Sequence, residues 1–132
     1  GELPIEVEEL EDLVAGLGVR LDKLKQEMDK VNTFISGRNT VIKESKALIA
    51  RYTEQLNNVK NDREHTALNR EIEMQNLEID LANKKIGDAR KDLKSKESYF
   101  NESTVKQDKI KSDLELKKKE LEVIIEETKL NF

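Results

Sequence analysis

The chain has 132 residues, of which 39% are charged and only 4% aromatic, with no Cys, no Trp and a formal net charge of −4. Too few bulky apolar side chains are present for a thick globular core, and without thiols neither a disulfide framework nor a thiolate metal site can form. Charge is spread evenly, with 9 basic and 11 acidic residues in 1–60 and 15 and 17 in 61–132, which leaves no basic half to grip nucleic acid.

The chain opens Gly-Glu-Leu-Pro, without Met, which suggests a processed or excised piece of a longer protein. Its acidic start is the opposite of a signal peptide's basic leader, and no apolar run approaches the roughly 18 residues of a membrane span. The expectation is a soluble, cytoplasmic chain with no membrane partner.

From Leu3, alternate steps of four and three residues run through Val7, Leu10, Val14, Leu17, Leu21, Leu24, Met28, Val31, Ile35, Arg38, Ile42, Ser45, Ile49, Tyr52, Leu56 and Val59, and fifteen of the seventeen positions are apolar. A seven-residue repeat held this long predicts a helix that winds with a partner in a left-handed supercoil. The first coiled-coil helix is placed at 4–57. Gly16 and Gly18 weaken it, and Ser36-Gly37-Arg38-Asn39 could be a turn. The repeat crosses 36–39 without slipping, so they read as a soft spot within one helix.

Asn57-Asn58-Val59-Lys60-Asn61 are poor helix formers, and the turn is placed at 58–61. Asn61 with Glu64 three residues later predicts a helix start, in which Asn61 accepts from free first-turn amides and Glu64 reaches back. Asp62 and Glu64 complement the positive end of the new helix. So short a connection makes the two helices antiparallel neighbours. The competing reading is one uninterrupted helix with a polar dimer seam.

The second coiled-coil helix is placed at 62–130. Its seam runs from His65 through Leu68, Ile72, Gln75, Ile79, Ala82, Ile86, Ala89, Leu93, Lys96, Phe100, Ser103, Gln107, Ile110, Leu114, Lys117, Leu121 and Ile124 to Thr128, with twelve of nineteen positions apolar. Pairing residues whose numbers sum to 124 sets Leu56 on Leu68, Tyr52 on Ile72, Ile35 on Ala89, Leu24 on Phe100 and Leu10 on Leu114. A slip of one heptad also keeps apolar residues in layers, so the register stays open. The fold class is all-α, a long antiparallel two-helix coiled-coil hairpin. At 1.5 Å per residue its arms are about 80 and about 100 Å long. The excess is a C-terminal overhang containing Leu121, Val123, Ile124, Ile125 and Leu130. It frays, packs on a second copy, or meets helix preceding Gly1, the last being favoured.

The Gly1-Glu-Leu-Pro-Ile-Glu-Val-Glu-Glu-Leu-Glu-Asp-Leu start, the Lys43-Glu-Ser-Lys-Ala-Leu-Ile stretch and above all Asn57-Asn-Val-Lys-Asn-Asp-Arg-Glu-His-Thr-Ala-Leu-Asn-Arg-Glu-Ile-Glu carry a resemblance. They resemble the helical hairpin of bacterial C4-type zinc-ribbon proteins, in particular Bacteroidetes-type members. The resemblance covers nearly the whole chain, and only the start and the turn segment are distinctive. It implies a four-cysteine zinc domain after the hairpin and further helix before Gly1. Zinc is therefore expected only in that absent C-terminal domain, and no cofactor in this chain. Hairpins of some relatives are described as partners of an alternative sigma factor and of flagellar or type III secretion components.

No catalytic constellation is present, because paired carboxylates need a sheltered pocket and a two-helix coil has none. His65 beside the turn reads as an exposed helix residue, and Glu8, Glu9, Glu11 and Asp12 as a solvated acidic face. Lys106, Lys109, Lys111 and Lys117–Lys119 are interleaved with acids and read as a mixed-charge surface. Arg38 and Lys96 interrupt the seams with packed stems and solvated charges, a device for register. Phe34, Val41 and Leu48 flank the first seam and Met74, Leu77 and Leu81 the second, which marks a candidate partner surface. The expected function is a non-catalytic scaffold or protein-interaction arm of a zinc-ribbon adaptor. Homodimerisation is left open. The alternative is a nucleic-acid-associated, transcription-related factor whose arm supports binding by the absent zinc ribbon.

Overall fold

The computed structural model describes residues 1–131. The chain is all-α, with two long helices, α1 over Glu2–Leu56 and α2 over Asp62–Leu130, packed on each other as a helical hairpin. Two compact units are distinguished along it: Gly1–Glu27 with the α2 residues from Lys96 onward, and Met28–Ser95, which holds the turn.

Helix α1 starts at Glu2, two residues before the expected start at Pro4. The first amides of a helix have no intrahelical acceptor, so proline sits there without breaking a bond. The helix continues through Ser36-Gly37-Arg38-Asn39 and ends at Leu56, so Asn57, expected as its last residue, belongs to the turn. The final turn tightens as Asn57 N donates to Glu54 O at 3.1 Å and Asn58 N to Gln55 O at 3.0 Å. Thr53 Oγ1 donates to Ile49 O at 2.7 Å and Thr104 Oγ1 to Phe100 O at 2.8 Å, so these hydroxyls are satisfied within their own helices.

At the start of α2, Asn61 Oδ1 accepts from Glu64 N at 2.9 Å, and His65 N closes the first full helical bond on Asn61 O at 3.2 Å. The expected return bond from the Glu64 carboxylate to Asn61 N–H is not formed among the described residues. Both residues are exposed, so water serves that carboxylate equally well. Asn61→Ala is expected to lower stability by about 1 kcal/mol. Urea unfolding of the two chains checks this.

The seven-residue repeat is visible as burial. Every seam position from Leu3 to Val59 and from Leu68 to Leu121 is buried or half-buried, while the remaining positions are almost all exposed. The core is thin: among the described apolar side chains only Val7, Leu21, Ala82, Ile86 and Leu114 are buried.

Cross-helix contacts in the unit holding both chain ends fix the pairing there. Gln107 Nε2 donates to Val14 O at 3.2 Å, Lys117 Nζ meets Glu6 Oε2 at 3.2 Å, and Leu24 shares a groove with Tyr99. These sit within three residues of the pairing that sums to 124, and a slip by one heptad would part all of them. Gln107 is a polar residue buried in the seam, a feature that selects register at a cost in stability. Gln107→Leu is expected to raise stability by about 1 kcal/mol while admitting slipped pairings. Cysteine pairs placed for the native and slipped registers would crosslink in both only in the variant.

Candidate functional site

The candidate partner surface lies entirely within the Met28–Ser95 unit. Its six residues divide into two groups. Val41 and Leu48 are half-buried, covered at the flank of the seam, whereas Phe34, Met74, Leu77 and Leu81 are exposed. Phe34 is engaged from its own helix, with the Arg38 guanidinium 5.6 Å from its ring centroid.

Arg38 is therefore not simply a packed stem with a charge in water. Its Nε is buried without a hydrogen-bond partner among the described residues, and the cation lies over an aromatic ring. Lys96, a charged residue in the α2 seam, is half-buried. The sequence placed Arg38 in the seam and Phe34 on its flank but did not pair the two. The signal was the four-residue spacing, which stacks the two side chains on one helix face.

Met74, Leu77 and Leu81 follow a three-then-four spacing, so they form one stripe on α2. Leu77 has 61% of its surface exposed, on a helix that buries a separate seam. The stripe is a face of α2 rather than a groove shared with α1. Glu71 and Glu78 border it on one side and Glu73 and Asp80 on the other, all exposed. None of the four acids forms an ion pair among the described residues.

A second apolar surface occupies the end of α2. Leu116, Val123, Ile124, Ile125 and Leu130 are exposed, as is every residue from Glu122 to Leu130. In the pairing that sums to 124, Glu2 stands level with Glu122, so α1 offers nothing opposite residues 124–130. Nearby, Lys117 is held above the usual lysine range, first by its hydrogen bond to Glu6 and then by that carboxylate's charge. A raised lysine pKa contributes stability that is fully present below the unfolded value of 10.5 and lost as pH rises through the folded value. Unfolding of the wild-type chain and of Glu6→Gln should therefore differ at neutral pH and converge in strongly alkaline solution.

His65 is exposed beside the turn, with its Nδ1 3.0 Å from Asn69 Nδ2, a bond that needs Nδ1 free of a proton. Among the described residues no three His, Asp or Glu side chains are placed to hold a metal ion. With no cysteine in the sequence, the thiolate set that a zinc ribbon needs is not part of this chain. No helix among the described residues is long and apolar enough to cross a membrane.

These features define an all-α helical hairpin whose second helix carries exposed apolar side chains bordered by charged ones. No family model, curated protein or solved structure matches the chain.

Proposed function

We propose that this chain is a non-catalytic coiled-coil arm that offers the Met74-Leu77-Leu81 face of α2 to a helix of a protein partner. The observation that carries the reading is the doubling of stripes on α2. One apolar seam faces α1, and a second, at the same spacing, faces outward between Met74 and Leu81. Two-stranded pairing uses only the first. Exposed apolar residues set at helical spacing are the anchors by which one amphipathic helix seats on another.

A partner trapped by a photo-crosslinker at position 77 of the full chain, then purified, is expected to bind the wild-type chain and to lose that binding with Met74→Ser/Leu77→Ser/Leu81→Ser. The three side chains lie outside the seam, so helix content and the unfolding midpoint should change little. Equal affinity of the two chains would remove the reading.

The wider role, an arm of a zinc-ribbon adaptor, rests on the resemblance of the turn segment and the Gly-Glu-Leu-Pro start, and the helical hairpin supports it. Its test is the open reading frame beyond Phe132. Two Cys-x-x-Cys pairs there support it, and a frame without them overturns it.

A further inference from the structure

The partner's chemistry follows from the border of the α2 stripe. Extended in both directions at the same three-and-four spacing, the stripe runs Ala67, Arg70, Met74, Leu77, Leu81 and Lys84. Its apolar centre, Met74, Leu77 and Leu81, is flanked along the stripe by a cation on either side, Arg70 and Lys84. Between those cations, residues 71–83 contain Glu71, Glu73, Glu78 and Asp80 and no basic residue. Glu71 and Glu78 lie one position from the stripe on one side, and Glu73 and Asp80 lie on the other. They occupy the places that flank a coiled-coil seam, where charge sets partner choice.

The local sign is therefore stronger than the chain's composition suggests. Four carboxylates lie here over about three turns with no base among them, and none forms an ion pair among the described residues. Seating a second copy of the same face on this one would set like charges against each other on both flanks, which disfavours self-pairing. An acidic partner helix meets the same repulsion. A helix with Lys or Arg on both sides of its apolar stripe meets attraction along both borders.

We infer that the Met74-Leu77-Leu81 face is a docking site for a basic amphipathic helix of another protein, about three turns long, with its cations against Glu71, Glu73, Glu78 and Asp80. The length follows from Arg70 and Lys84, which repel the same cations at either end of the site. This inference rests on the docking role proposed above and adds the partner's charge.

The test uses the full chain and two synthetic helical peptides of about four turns. Both carry Leu at alternate spacings of three and four, one with Lys on both flanks of the stripe and the other with Glu. The Lys-flanked peptide is expected to bind, with affinity falling about tenfold or more on Glu71→Gln/Glu73→Gln/Glu78→Gln/Asp80→Asn and falling again between low salt and about 0.5 M salt. Leu77→Ser should abolish what remains. Equal binding of the two peptides, or an unchanged affinity in the neutralised chain, overturns the basic partner. If Leu77→Ser still removes binding in that case, the docking face stands and only its charge preference falls. If neither peptide responds to Leu77→Ser, the docking role itself is overturned. Circular dichroism of each variant, expected to match the wild-type chain, separates loss of binding from loss of helix.

Discussion

Ile86→Ala is expected to destabilise the chain by about 2–3 kcal/mol, whereas Ile124→Ala, the same chemical change on the same helix, should stay within about 0.5 kcal/mol. Ile86 is 5% exposed and occupies a seam position between Ala82, at 2%, and half-buried Ala89. Its small neighbours leave it as the main apolar bulk over two turns of α2, so truncation removes contacts that nothing nearby can replace. A two-helix core is one side chain deep, and water can enter part of any space left behind. That places the expected loss in the lower half of the range for buried isoleucine. Ile124 is 48% exposed and has no α1 residue opposite, so its truncation costs only part of a helix surface already in water. Urea unfolding of both variants and the wild-type chain measures the difference. Equal losses would mean that the end of α2 is covered in solution.

That contrast separates what was legible in the sequence from what was not. Heptad spacing alone located the buried face of both helices, including poor hydrophobes: Ser45 and Gln107 are buried because the repeat carries them inward. A seven-residue period expresses geometry, and geometry acts on polar and apolar residues alike. The turn was legible from backbone chemistry, since Asn61 does accept from Glu64 N. Flank positions were harder. Phe34, Val41 and Leu48 share one heptad position, yet Phe34 stays exposed while the other two are half-buried. Burial beside a seam depends on which side chain the opposite helix places there, and that depends on the register. The sequence left two registers in play, so it could not sort the flank. The Gln107 bond to Val14 O was hidden for the same reason, being a cross-helix contact that exists only in one register.

The same register carries the candidate docking face in a different way. Met74, Leu77 and Leu81 could be named from spacing, but the spacing could not show whether α1 covered them. Their exposure decides that the face is free, and the surrounding carboxylates then acquire meaning. The buried seam and the exposed stripe of α2 are thus separate faces, and if the proposed docking role holds, substitutions on one should leave the other intact. A helix that packed a single broadened stripe would offer no such separation.

Replacing Gly16, Gly37 and Gly87 together by Ala is expected to raise stability by about 2.5–3 kcal/mol without touching the seam. All three lie inside helices, none has a positive φ, and a Cβ built on each meets nothing within 4 Å. Helical glycine costs about 0.8–1 kcal/mol relative to alanine, largely through the backbone freedom it has when unfolded. Gly16 is distant in sequence and pairing from the other two, and the open surroundings of all three favour additive gains. Gly18 supplies the internal contrast. A Cβ there would lie 3.4 Å from Gln107 Nε2, the atom that donates to Val14 O, so part of its gain is returned by moving a buried amide. In the pairing that sums to 124, Gly37 stands level with Gly87, which puts a glycine of each helix at one level of the hairpin. Amide hydrogen exchange should therefore be faster at 36–40 and 86–90 than in neighbouring turns of the wild-type chain and should slow there most in the triple variant. A raised midpoint with no local slowing would assign the gain to the unfolded chain alone. A triple variant no more stable than wild type would mean that these positions are not helical in solution.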